Sequence, residues 1–289
     1  MSWLQAAING VLLGGLYAMF ASGLSITFGV MRLVNLAHGD FTAAGAFACW
    51  SFVAATGWSP WLSLVVVVPV AFAVGLVLQR VVYDGVVGAD PAVQIVATFG
   101  LSIAISNWLL QHYGANPKSV NVGSFGTSSL DLGGGLAVGW FPIVRFAVAV
   151  ALLVALSFFF ARTPMGRAFR ASSDDPATAR LVGIDNTRVY AVALGLAVAT
   201  AVIAGLFRIT ETNVSPPDGP ALLIFGFEAV IIGGLGSLWG TLAGGMVLGI
   251  AQTVGAQVNP SYGILIGNLV FLAILAFRPT GLMPKAVTT

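Results

Sequence analysis

The stretch MRLVNLAHGDF at 31–41 sets Arg32, Asn35, His38 and Asp40 between two long apolar runs. A histidine two residues from an aspartate has the donors of a metal site or of an acid–base pair. A metal site needs further ligands, and no third one stands nearby. A serine hydrolase needs Ser and His on facing elements. Ser22 and Ser25 lie one span from His38 at undistinguished spacing, and His112 stands at the end of an apolar run. Catalysis is the weakest reading. In lipid a charge at the bilayer centre costs roughly 2.5–3.5 kcal/mol, so such groups sit at an interface, pair up or line a wet cavity. Two readings stay open for Asn35, His38, Gly39 and Asp40: a hydrogen-bonded turn bent at Gly39, or a break beside a translocation pathway.

Glu228 lies in FGFEAVIIGGLG, and no charge follows it until Arg278. Gly233, Gly234 and Gly236 permit close backbone approach or unwinding. Discontinuous helices at corresponding places in two halves of a chain are the usual pointer to a transport site. Here the interruptions fall at 31–41 and 226–240, each followed by a small-residue helix, TAAGAFA and TLAGGMVLG. This loose internal repeat adds Glu228, Gly233, Gly234 and Gly236 to the candidate pathway residues. The competing role for Glu228 is a packing carboxylate bonded to Ser, Asn or backbone donors.

A second cluster is basic. RTPMGRAFRASSDDPATARLVGIDNTR at 162–188 holds five of the twelve Lys and Arg residues. Thr163-Pro164 and Asp175-Pro176 each set a cap residue before a helix-starting proline. Asp174 and Asp175 suit a positive helix N-terminus, and Gly183 stops the second helix. The spacing predicts two short capped helices. Arginines that only fix topology, at about 1 kcal/mol each against anionic lipid, would explain the charge. They would not explain the caps or the apolar strip of Ala177, Leu181 and Val182. Basic and apolar residues on a short, fixed helix form a docking surface.

Apolar helices must carry these clusters. The chain has 289 residues, 58% of them hydrophobic and 8% charged, with a net charge of +2. A soluble domain carries about 25% charged residues. A mean hydropathy of +0.96 and repeated apolar runs indicate an integral membrane protein. The net charge is too small to suggest nucleic acid. The lone Cys49 excludes an internal disulfide and a Cys-based cluster, and is expected to pack as a small apolar residue. MSWLQAAINGVLLGGLYAMF lacks a basic leader region and reads as a retained span.

Eight spans are expected, at 8–29, 41–57, 61–82, 92–111, 141–161, 189–209, 238–257 and 261–277. The piece 221–234 is short and reads as a half-helix or re-entrant segment. The fold class is an all-α polytopic membrane protein, one transmembrane domain over 1–289. The positive-inside rule puts 162–188 in the cytoplasm, the N-terminus outside and the C-terminus inside. Nine cations then lie inside, Arg32, Arg80, Arg278 and Lys285 among them, against Lys118, Arg145 and Arg208 outside. The parity closes only if 221–234 crosses or nearly crosses. Trp3, Trp50, Trp58, Trp61, Trp108 and Trp140 fall near outer ends, where indole prefers to sit; Trp239 departs. Residues 112–140 form an external loop with a short hairpin, either a connector or a docking surface for an external partner. The runs GVLLGG at 10–15 and GGMVLG at 244–249 are helix contact faces, within the chain or toward a second subunit.

With these stretches in view the chain resembles the LivH-type permeases of ABC importers for branched-chain amino acids. The resemblance rests on GRAFRASSDDPATARLVGI with the Arg188 to Gly205 spacing, on GLSITFGVMRLVNLAHGDFTAAGAF at 23–47, on EAVIIGGLGSLWGTLAGGMVLGI at 228–250 and on FRPTGLM at 277–283. It implies that 162–188 is a coupling loop docking into a cytoplasmic ATPase. The residues carried over are Gly166, Arg167, Arg170, Asp175, Ala179, Gly183 and Ile184, with Leu181 on the exposed strip. It implies a second, LivM-like permease, two ATPases, an external substrate-binding protein, a bacterial inner membrane and alternating access. The implied cargo is a branched-chain or other hydrophobic amino acid; related systems carry urea, short amides or aromatic acids. The only lysines, Lys118 and Lys285, lack the glycines of a phosphate-binding loop. ATP and Mg therefore belong to the partner ATPases, and no cofactor is expected on this chain. The alternatives are an importer permease for urea, short amides or aromatic acids and, ranked after it, an ion-coupled secondary transporter using Asp40, His38 and Glu228 as a relay, which leaves the capped helices without a role.

Overall fold

The computed structural model describes residues 3–126, 128–133 and 136–283. Lys285 lies outside the described residues. The long helices are α1 (Trp3–Met31), α2 (His38–Thr56), α3 (Pro60–Leu78, continued by a π-helical turn to Tyr83), α4 (Pro91–Tyr113) and α5 (Trp140–Arg162). Two short helices follow, α6 (Pro164–Asp174) and α7 (Pro176–Leu181). Then come α8 (Asn186–Glu211), α9 (Gly219–Gly233), α10 (Leu238–Val258) and α11 (Tyr262–Phe277). The hairpin expected in 112–140 is present, pairing β1 (Ser129–Gly133) with β2 (Leu136–Gly139) in antiparallel register.

A helix forms at each of the eight expected places, but they are not eight equal spans. Six are long and apolar enough to cross a membrane: α1, α3 with its extension, α4, α5, α8 and α10. The helix α11 has 16 residues, and α2 starts inside the bundle. The arginine island sits at one end of the bundle, beside the last turn of α1. Exposed Trp3, Trp58, Trp108 and Trp140 mark the other. These are called here the arginine end and the tryptophan end.

Two chain reversals organise the bundle. After α1 ends at Met31, residues 32–37 run back along it, and His38 at the start of α2 bonds the Phe20 carbonyl. Phe20 is eleven residues from the end of α1, roughly 16 Å at 1.5 Å per residue. After α8 ends at the tryptophan end, residues 212–218 likewise turn back inward. There Val214 pairs with Lys118, Ser215 and Asp218 close a capping box, and α9 starts against Asp40. From there α9 runs to the arginine end, where Gly236 meets Gly29. The parity of the chain closes through this half-length helix.

The order long helix, reversal, half-way start, long helix, return helix occurs in α1 to α4 and again, inverted, in α8 to α11. Packing follows the same exchange: α1 lies along α10 and α8 lies along α3. In both places small residues bring backbones together, Gly14 against Gly245 and Met246, and Gly75 against Gly195. The runs 10–15 and 244–249 therefore pack on each other within the chain. The repeat itself is corrected. The partner of 31–41 is 212–219, not 226–240, because the break is where a helix starts at depth rather than where glycines cluster.

The core lies around α1 and α8. Cys49 is fully buried there, as expected of a small apolar residue.

Candidate functional site

The two half-way starts meet. A methyl group added at Gly39 would lie 2.0 Å from the Gly219 carbonyl oxygen, and one at Gly219 would lie 2.1 Å from Asp40 Oδ1. Only glycine at both places lets α2 and α9 abut. Their N-termini carry the positive ends of two helix dipoles, and Asp40 stands between them. Its Oδ2 accepts a bond from Ser102 of α4 at 2.5 Å, and its Oδ1, facing Gly219, has no hydrogen-bond partner in the structure. An acidic side chain is the favourable occupant of such a meeting point.

The neighbouring polar groups build the turn. Asn35 Oδ1 accepts from the Ala37 amide at 3.1 Å and from the Tyr83 hydroxyl at 2.9 Å. His38 Nε2 lies 3.0 Å from the Phe20 carbonyl; a carbonyl only accepts, so Nε2 carries the proton. Gly23 leaves the space for this ring. His38 thus turns to α1 and Asp40 to α4, and they form no acid–base pair. Among the described residues no group of three His, Cys, Asp or Glu could hold a metal. The structure brings Asn35, His38, Gly39 and Asp40 together as one buried, hydrogen-bonded junction.

Glu228 stands apart from that junction. It is buried on α9, and the Asn268 amide of α11, turned so that its nitrogen rather than its oxygen faces the carboxylate, donates to its Oε1 at 2.9 Å. Gly233, Gly234 and Gly236 form the tight turn from α9 to α10, with Gly234 and Gly236 at positive φ. The chain's last described residues strap this turn, Leu282 and Met283 donating to the Ile232 and Gly233 carbonyls at 2.8 and 2.9 Å.

One charged pair was not foreseen in the sequence. Arg145 of α5, 2% exposed, is bound to Glu211 at the end of α8 and donates to the Leu12 carbonyl at 3.2 Å. The signal was present: an arginine inside the run WFPIVRFAVAV needs a partner.

The basic island folds as its caps predict. Thr163 Oγ1 accepts from the Gly166 amide at 3.0 Å. Asp175 accepts from the Ala177 and Thr178 amides at 2.9 and 3.1 Å and from the Thr178 hydroxyl at 2.5 Å. The Thr178 hydroxyl first, then these amides, hold the Asp175 carboxyl below its ordinary value. Gly183, at φ +85°, ends α7, and the Ile184 amide closes back on the Ala179 carbonyl at 3.0 Å.

The pair is also anchored. Ser173 donates to the Gly29 carbonyl at 2.6 Å, Ser172 to Asn186 at 2.9 Å, and Asn186 to the Pro176 carbonyl at 2.7 Å. Arg170 holds the Phe160 carbonyl. Gly166 and Ala179 are buried and Ile184 is half-buried, so these three shape the pair from within. Arg167 and Gly183 face away from the bundle, as do Leu181, 85% exposed, and Val182, 71% exposed.

The family model described as "Branched-chain amino acid transport system / permease component" matches residues 6–275. The high-affinity branched-chain amino acid transport system permease protein BraD of Pseudomonas aeruginosa is 27% identical, over 98% of this chain and 96% of its own. The corresponding LivH of Escherichia coli is 30% identical, over 98% of this chain and 96% of its own. LivM of Salmonella typhimurium, a permease protein of the same kind of system, is 28% identical over 93% of this chain and 68% of its own. With six crossing-length helices among the described residues and a family match over residues 6–275, the chain belongs to the family of branched-chain amino acid transport permease components.

Proposed function

We propose that this chain is the membrane permease subunit of an ABC importer carrying branched-chain or other hydrophobic amino acids into a bacterial cytoplasm. The observation that carries the reading is the α6–α7 pair: capped, anchored to α1 and α8, and leaving Leu181, Val182 and Arg167 exposed. A rigid apolar and basic surface of this kind suits a protein partner. On this reading the arginine end is cytoplasmic and the tryptophan end faces outward. Two ATPases bring ATP and Mg to α6–α7, and this chain hydrolyses nothing itself. A second, LivM-like permease completes the membrane part. An external binding protein delivers cargo to the side covered by 112–140.

The geometry supports a mechanical role for the buried junction. A push on α6–α7 reaches Gly29 through Ser173, then the end of α1, the reversal at 32–37 and the abutting starts of α2 and α9. Asn35, His38, Gly39 and Asp40 act as the fulcrum about which the inverted halves rock. Glu228 and the turn at Gly233, Gly234 and Gly236 belong to the moving α9–α10 arm beside the pathway.

The test is uptake by the complete importer in proteoliposomes. Leucine uptake requires ATP inside and the binding protein outside, and exceeds uptake of urea, acetamide and benzoate. Leucine uptake driven by a proton or sodium gradient without ATPases would replace this reading with the secondary transporter.

A further inference from the structure

We propose that the cleft beneath the arginine end of α1 is a regulatory site for a free amino acid with an aliphatic side chain. This inference rests on the importer reading: the occupant is the imported cargo, sensed after it has entered. The cleft encloses about 500 Å³ between α1, the α3–α4 connection, α6 and α7. That volume falls within the range of small-molecule sites. Arg32, Arg180 and Asp174 line it together with Val30, Met31 and Val87. Two arginines and one aspartate match the adjoining carboxylate and ammonium of an α-amino acid, and the surplus arginine favours the carboxylate. The valines and the methionine offer an aliphatic side chain an apolar wall.

Arg32 supplies a second observation. It is the one described non-glycine residue with positive φ, at +51°. Its amide closes α1 on the Phe28 carbonyl at 2.9 Å, a helix-ending position where glycine is usual. Non-glycine residues in this conformation are strained, and such strain clusters at ligand clamps and switch regions. Here it places a guanidinium-bearing residue on the wall of the cleft.

The location gives the site its consequence. A ligand seated between Arg32, Asp174 and Arg180 and the Val87–Gly88 stretch clamps the coupling pair and the end of α1, which move together through Ser173, against the α3–α4 connection. It opposes the movement by which bound ATPases would drive the junction. Uptake then slows as cargo accumulates. The three charged residues are exposed, so binding is weak, with Kd of about 1 mM, matched to an internal pool rather than to scarce external substrate.

The first measurement is equilibrium binding of labelled leucine to the chain purified from its membrane with whatever subunits accompany it. Wild type binds with millimolar affinity, and Arg32→Gly and Asp174→Asn lose that component; Arg32→Gly keeps a residue suited to positive φ. Absence of millimolar binding to wild type, or equal binding by both variants, overturns the site whatever transport shows. The second measurement is the initial rate of uptake into proteoliposomes preloaded with leucine at about 10 mM, tenfold above that Kd. The wild-type rate falls severalfold relative to vesicles without internal leucine, while each variant has the same rate with and without internal leucine. Isoamylamine and 4-methylpentanoate, each lacking one of the two charges, do not inhibit. An unchanged wild-type rate, or equal inhibition by either analogue, overturns the regulatory role. Failure of ATP-driven uptake without any internal leucine instead counts against the importer reading.

Discussion

Replacing Gly39 by alanine tests the junction of the two half-way helices. The added methyl carbon would lie 2.0 Å from the Gly219 carbonyl oxygen and 2.7 Å from the Leu223 amide nitrogen. Non-bonded heavy atoms rest at about 3.5 Å, so α2 and α9 must part by roughly 1.5 Å. Both obstacles are backbone, and no side chain can swing aside. Overpacking costs typically about 1–3 kcal/mol, and this site belongs at the upper end. About 3 kcal/mol is two factors of ten in the folded population. At about 2–4 °C per kcal/mol for a chain of this order of size, the midpoint falls by about 10 °C. Gly100→Ala is the control, because a methyl there meets nothing within 4 Å. Removing a glycine from a helix interior stabilises by about 0.5–1 kcal/mol. The assay is thermal unfolding of both purified variants in the same detergent, followed by tryptophan fluorescence. Equal midpoints for Gly39→Ala and Gly100→Ala would refute the abutting of α2 and α9.

Three further outcomes follow from the same structure. Glu211→Gln strands the buried Arg145 charge and destabilises by about 2 kcal/mol, below the usual 3–5 kcal/mol because Glu211 is partly exposed; adding Arg145→Met restores stability in a thermal-unfolding cycle, and a double variant no better than the single one contradicts the pairing. Arg167→Glu and Gly183→Glu leave insertion and assembly intact but reduce ATP-driven uptake, and normal uptake in both removes the coupling role of that surface. The Asp175 carboxyl is held below its ordinary value, so its cap stabilises α7 above the unfolded value near 3.9 and is lost as pH falls through the lower folded value. Exchange protection of the Ala177 and Thr178 amides therefore survives to pH about 4 and drops below it; loss of protection already at pH 6 would show that Asp175 does not hold the helix.

What could be read from the sequence was what neighbouring residues settle among themselves. Thr163-Pro164, Asp175-Pro176 and Gly183 cap and end α6 and α7 through bonds spanning a few residues, so the island was legible. The apolar runs marked every long helix. The reversal before α9 was not legible, because a half-way start depends on Asp40 and Gly39, some 180 positions earlier in the chain, and 212–218 carries no apolar signal. The glycines at 233–236 drew attention instead, though they serve a tight turn. The partners Glu211 for Arg145 and Asn268 for Glu228 come from separate helices, and no local pattern names them. The roles of Gly166 and Ala179 were blurred for a similar reason: a motif marks which residues matter without saying which face the bundle.

The central claim is that α6–α7 is where an ATPase docks. Leu181→Cys and Val182→Cys, introduced one at a time, should crosslink to an ATPase subunit in the native membrane, identified by mass spectrometry after mild-detergent purification. Val65→Cys, on an exposed apolar face of α3, should capture none. If the chain emerges alone, without an ATPase on either cysteine, the docking surface has no such partner, and Asp40, His38 and Glu228 return as candidates for an ion relay.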